Sequence, residues 1–179
     1  MKRQRIFGDK NLFSIEVDIK SVSGEFVYGS VILWVHNKQI GDGEIDLLTL
    51  SYTTLEKKLF INFSKKMEIF QGLTKEEIFC TLMPAELSDV YRKNSPIVSK
   101  KIMEFSGEKI VDFYCVFPDG SSSFDWVHLF NFTLNNIPFF IWHNIGTEDI
   151  YMESVDILYV QTIVRDYLDY IDALILQTN

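Results

Sequence analysis

The chain has 179 residues, of which 47% are hydrophobic and 23% charged, as in a soluble globular protein and unlike a disordered chain. Its net charge of −8 argues against nucleic-acid binding, which requires Lys and Arg to replace phosphate counterions. No apolar run approaches the roughly 20 residues that span a bilayer. The sequence therefore predicts one domain over residues 1–179, with a flexible leader at residues 1–5, in the cytoplasm and without a membrane partner.

The first part of the chain predicts an antiparallel meander. Apolar and charged residues alternate from about Leu12 to Ser21, the pattern of a half-buried strand. A second strand is predicted over Glu25–His36, followed by a two-residue turn at Asn37-Lys38 and a short third strand over Gln39–Gly41. The Gly8-Asp9 pair is predicted to form the corner before the meander, with Asp9 bonded to nearby backbone.

The middle of the chain predicts helices. Leucine and phenylalanine residues at helical spacing indicate a helix over Thr53–Phe63. A second helix begins with Thr74 as its N-cap, because Glu77 three residues later completes a capping box, and it ends near Met83. The segment Ala85–Glu104 is predicted to be mainly loop.

Strands are predicted again in the last third. They cover about Lys109–Phe117, Phe124–Leu134 and Pro138–His143, with turns at Pro118-Asp119-Gly120 and Asn135-Asn136. A final amphipathic helix has an apolar face suited to covering a sheet, formed by Ile157, Val160, Val164, Tyr167, Leu168, Ile171, Leu174 and Ile175. The predicted fold class is α+β, with a mainly antiparallel sheet built from the N-terminal meander and the C-terminal strands and covered by helices, including the C-terminal one.

No motif indicates catalysis or a cofactor. His36, His128 and His143 lack zinc-site spacing, and Cys80 and Cys115 have no CxxC pattern. The acidic loop Gly41–Asp46 lacks the ligand pattern of a calcium site. No catalytic, cofactor-binding or metal-binding residue is therefore predicted, although an enzyme that uses His128 or His143 with a carboxylate remains an alternative.

Charge is concentrated at the C-terminal end. Residues 118–179 contain nine acidic residues and one basic residue, Arg165, whereas residues 1–117 contain sixteen of each. Such asymmetry indicates a surface for a basic protein partner, and aromatic residues among the acids are typical of interfaces. The predicted partner-binding residues are Glu148, Asp149, Tyr151, Glu153, Asp166, Asp169, Tyr170 and Asp172. A solvated acidic stripe without a partner is the competing interpretation.

The N-terminal residues of the chain resemble those of a known protein family. Phe7-Gly8-Asp9, then Phe13-Ser14-Ile15-Glu16, then VYGSVILWVHNKQIGDG, resemble the immunity proteins of bacterial polymorphic toxin systems, most of all the type called immunity protein 42. The likeness covers about the first 60 residues. It implies fold-defining roles for the matching residues, which are Gly8, Asp9, Phe13, Glu16, Gly29, Trp34, Gly41 and Asp42.

The resemblance implies a small, cytoplasmic, non-enzymatic protein. It would bind one cognate toxin domain, for example a basic nuclease, and block it by protein–protein interaction in the producing bacterium. A monomer or weak homodimer without cofactors is expected. Besides the enzyme mentioned above, a scaffold or oligomeric interaction domain without a toxin is the remaining alternative.

Overall fold

The computed structural model describes residues 4–49, 63–83, 127–147 and 149–177. Within these ranges the chain is α+β, as predicted, with two antiparallel sheets and two α-helices. The strands are β1 (Gln4–Asp9), β2 (Phe13–Ser23), β3 (Phe26–Val35), β4 (Lys38–Ile40), β5 (Asp46–Leu47), β6 (Val127–Leu134), β7 (Ile137–Asn144) and β8 (Ile150–Ser154). The helices are α1 (Lys75–Leu82) and α2 (Ile157–Leu176), and a 3₁₀ turn covers Glu68–Phe70.

Several predicted elements lie outside the described residues. They are the loop over residues 85–104, the strand over 109–117, the turn at 118–120 and, apart from Phe63, the helix over 53–63.

The N-terminal sheet is the predicted meander with two additional strands. Its order is β1-β2-β3-β4, and β5 also pairs with β3. The turn after β3 lies at His36-Asn37, one residue earlier than predicted, because Val35 pairs with Lys38. Both turn residues have positive φ, 49° and 62°, as the two-residue hairpin turns that match strand twist require.

Strand β1 was not predicted from the sequence. It pairs with β2 along its full length, from Gln4 opposite Asp18 to Asp9 opposite Phe13. Gly8 has a φ of +88°, and a Cβ there would lie 2.5 Å from the Phe13 carbonyl oxygen. The predicted corner therefore requires glycine, and Asp9 accepts a hydrogen bond from the Asn11 amide as expected.

Gly29 lies where β2 and β3 approach each other most closely around a bulge. The register between β2 and β3 shifts between Ile19 and Ser21, which leaves Lys20 as the extra residue of a bulge opposite Gly29. A Cβ on Gly29 would lie 2.5 Å from the Asp18 carbonyl oxygen, so the two strands approach each other too closely there for any larger residue.

The C-terminal sheet has β7 at its centre, between β6 and β8. The turn joining β6 and β7 is Asn135-Asn136, as predicted, with φ angles of 51° and 63°. One face of this sheet packs on α1, whose capping box between Thr74 and Glu77 is formed as predicted. The apolar cluster there includes Phe70, Phe79, Phe130, Phe132 and Ile141.

The main core lies between the N-terminal sheet, helix α2 and the other face of the C-terminal sheet. Helix α2 covers the sheet, as predicted, with its fully buried Val160, Val164 and Ile171. Phe13 of β2 stacks on Phe140 of β7 at 5.9 Å between ring centroids. The two sheets therefore share one core, and the start of α2 follows directly after β8.

Candidate functional site

Strand β8 carries three of the predicted partner-binding residues on one face. Asp149, Tyr151 and Glu153 alternate along the strand and its entry, and the Tyr151 hydroxyl lies 3.3 Å from Asp149 Oδ2. The Tyr151 ring stacks on Trp142 at 5.2 Å, and Glu153 forms an ion pair with Lys38 of β4. The Lys38 ammonium also lies 5.3 Å from the Tyr151 ring centroid. Tyr151 and Glu153 are therefore held in place, and Lys38 partly neutralises the negative charge of this part of the surface. Glu148 lies outside the described residues.

Helix α2 carries the other four predicted residues, on different parts of its surface. Asp166 and Asp169 are exposed, whereas Asp172 and Tyr170 are half-buried. The Tyr170 ring packs 5.4 Å from Phe7, and the Arg5 guanidinium lies 5.0 Å from the Tyr170 ring. Tyr170 is not among the predicted apolar-face residues of this helix, but Phe7 of the added strand β1 gives it a packing partner.

A cleft lies where β8 meets the start of α2. It has a volume of about 360 Å³, and its walls are Leu12, His36, Ser154, Val155, Asp156 and Tyr159. The His36 Nε2 lies 2.9 Å from the Ser154 carbonyl oxygen, so Nε2 must carry the hydrogen. The Tyr159 hydroxyl accepts a hydrogen bond from the Asp9 amide at 2.9 Å. Residues from both ends of the chain therefore form this cleft.

The carboxylate of Asp156 is the acidic group of the cleft. It caps α2, since Oδ1 accepts hydrogen bonds from the Leu158 and Tyr159 amides at 2.9 and 3.3 Å. The side chain is exposed, and none of the described residues donates a hydrogen bond to its Oδ2. No local sequence pattern predicts this cleft, because His36 and Ser154 are 118 residues apart.

A polar network lies on the face of the N-terminal sheet that points away from α2. The Glu16 carboxylate accepts hydrogen bonds from Gln4, Lys10 and Trp34 at 2.9, 2.6 and 2.9 Å, and the Lys10 ammonium lies 3.8 Å from the Trp34 ring centroid. Burial raises the pKa of Glu16, but the hydrogen bonds from these three residues outweigh it, and the pKa lies below its ordinary value.

The histidines do not form one group. His128 and His143 face each other across β6 and β7, whereas His36 lies in the cleft. Burial, and secondarily the neighbouring His143, lower the pKa of His128. Within the described ranges, no three His, Cys, Asp or Glu residues are close enough together to hold a metal ion. None of the helices in the described part of the chain has the length and apolar character needed to cross a membrane.

Comparison with known proteins finds a family that matches the sequence and a solved structure that has a similar fold. Residues 6–170 match the family described as immunity protein 42, which is most of the chain. No match was found among curated proteins.

A solved structure has the same fold. The crystal structure of CdiI from Burkholderia dolosa AUO158 is similar with a TM-score of 0.62 and 14% sequence identity, over 93% of this chain and 99% of that chain. At this identity the likeness concerns the fold alone.

Proposed function

The chain belongs to the immunity protein 42 family, and on this premise we propose that it binds one cognate toxin domain and neutralises it in the cytoplasm of the producing bacterium. Neutralisation results from binding, without a catalytic step by this chain. The family match is the observation that carries the proposal, and it extends across both sheets and most of α2. The fold shared with CdiI is consistent with it.

The proposed partner is a toxin domain with a basic surface, such as a nuclease. This chain has a net charge of −8, and a protein that binds nucleic acid is generally basic where it contacts phosphate. Complementary charge accelerates association, up to on the order of 10⁸ to 10⁹ M⁻¹s⁻¹. Rapid capture is useful to an inhibitor that must act before its toxin does.

The proposed contact surface follows the acidic residues of β8 and α2. It includes Asp149, Tyr151 and Glu153 of β8 and its entry, Asp166, Asp169, Tyr170 and Asp172 of α2, and Glu148, which precedes Asp149 in the sequence. Exposed Asp166 and Asp169 supply long-range attraction, whereas Tyr151 is pre-oriented by Trp142 and Lys38. Rigid aromatic residues of this kind are frequent binding hot spots.

Co-expression tests the proposal. The toxin domain encoded by the gene immediately upstream is induced in a bacterial host, with and without this chain. We expect growth to stop in its absence and to continue in its presence. The control is the same toxin domain with an unrelated acidic protein of similar size, which should give no protection. A toxin domain that stays lethal in the presence of this chain, or that is harmless alone, would contradict the proposal.

A further inference from the structure

The cleft at the start of α2 has features of a site for one long cationic side chain. Its volume of about 360 Å³ lies at the small end of ligand pockets. Leu12 and Val155 give it apolar walls, and Tyr159 adds an aromatic ring. The carboxylate of Asp156 lies among these groups. A cleft with apolar walls and one carboxylate is suited to a side chain that has an aliphatic stem and a positively charged end group.

The helix terminus itself does not favour an anion here. The amides of Leu158 and Tyr159 already donate to Asp156 Oδ1, so the groups that would hold an anion at a helix start are occupied. The Asp156 carboxylate would also repel one. By contrast, Asp156 Oδ2 can accept further hydrogen bonds, since none of the described residues donates to it.

We propose that this cleft receives an arginine side chain of the toxin domain, which stacks on Tyr159 and donates hydrogen bonds to Asp156. The assignment rests on the proposed function and deepens it by naming the chemistry of one contact. A guanidinium suits these walls because it is planar, stacks on aromatic rings and binds carboxylates through its fork of N–H donors. The charge complements a chain whose C-terminal third is strongly acidic.

The backbone around the cleft is well held. His36 is tied to the Ser154 carbonyl, and Tyr159 is tied to the Asp9 amide. The β3–β4 turn is therefore tied to the end of β8, and the start of α2 to the end of β1. A preorganised site of this kind loses little conformational freedom when a ligand binds, and this favours high affinity.

Two substitutions test the cleft while preserving the fold. Asp156→Asn removes the charge but keeps a good N-cap, since asparagine caps helices as well as aspartate does. Leu12→Trp fills the cleft from its rim, where Leu12 is 49% exposed. Glu25→Gln is the matched charge control, because Glu25 lies in the turn at the other end of β3, which at ten residues spans about 30 Å.

The measurement is the dissociation constant of each variant for the purified upstream toxin domain, by titration calorimetry, with thermal unfolding to verify that each variant is folded. We expect Asp156→Asn and Leu12→Trp each to weaken binding roughly tenfold or more and Glu25→Gln to change it less than twofold. One arginine-to-alanine substitution in the toxin should weaken binding by the native chain but have little additional effect with Asp156→Asn.

Three results would overturn the inference. If both cleft variants bind as tightly as Glu25→Gln, the cleft is not a contact, although the proposed function stands because the toxin is still bound. If Leu12→Trp weakens binding and Asp156→Asn does not, the occupant is apolar and the arginine assignment is wrong. If the native chain itself does not bind the toxin, the proposed function fails as well.

Discussion

Glu16 illustrates how one residue can organise a surface. Its carboxylate accepts hydrogen bonds from β1, from the β1–β2 turn and from β3, through Gln4, Lys10 and Trp34. The side chain is only 15% exposed, so its ion pair with Lys10 is screened by water less than an ordinary surface pair. The fold-defining role that the family resemblance implies for Glu16 has a physical basis in these contacts.

Replacing Glu16 should change stability in a pH-dependent way. The pKa of Glu16 is lowered in the folded chain, so its contribution is present above the unfolded-state pKa and disappears as the pH falls through the folded-state pKa. We expect Glu16→Gln to reduce the free energy of unfolding by about 1 kcal/mol at pH 7, and the difference from the native chain to shrink below about pH 4.5. Denaturant unfolding across this pH range measures it.

Asp18→Asn is the control for Glu16, because the ion pair between Asp18 and Lys20 is more exposed, with side chains 37% and 47% accessible. We expect it to change stability by less than about 0.5 kcal/mol. If the two variants lost equal stability, or if the effect of Glu16→Gln did not depend on pH, the hydrogen bonds to Glu16 would not stabilise the fold as we expect.

At the scale of elements, the sequence best predicts those strands and helices whose hydrophobic period is long and regular. Strands β2 and β3 and helix α2 follow from alternation and helical spacing, and α1 from its capping box. Strand β1 has one buried residue, Phe7, among six, so it shows no alternation, and the sequence predicts only a leader and a corner there. The two-residue β5 is too short to produce a pattern. The pairing of His128 with His143 and the cleft depend on tertiary contacts that no local signal contains.

Helix α2 carries two exposed residues of the acidic surface, Asp166 and Asp169. We expect the double change Asp166→Lys and Asp169→Lys to slow association with the toxin domain roughly tenfold at low salt. The difference should nearly vanish at about 0.5 M salt, because the screening length is then shorter than the approach distance. Stopped-flow association rates at several salt concentrations measure both effects.

The control for α2 is Glu25→Lys with Glu68→Lys. These two exposed residues lie outside the acidic third, and the double change alters net charge by the same amount. If both double variants slowed association equally, the net charge of the chain, rather than Asp166 and Asp169 of α2, would account for its attraction to the toxin domain.

At the scale of the whole molecule, two sheets and a long helix enclose one shared core, and the acidic third of the sequence contributes β6, β7, β8 and α2. This arrangement holds the predicted binding residues of β8 and α2 on a rigid scaffold, as an inhibitor that acts by binding requires. We propose that this chain neutralises its toxin by forming a stoichiometric complex.

Titration calorimetry of this chain into the purified upstream toxin domain tests whether such a complex forms. We expect a saturable transition at one chain per toxin domain, with a dissociation constant on the order of nanomolar or tighter, and loss of toxin activity in proportion to the complex formed. Absence of binding, or complete loss of toxin activity at far less than one equivalent, as an enzyme acting on the toxin would produce, would contradict it.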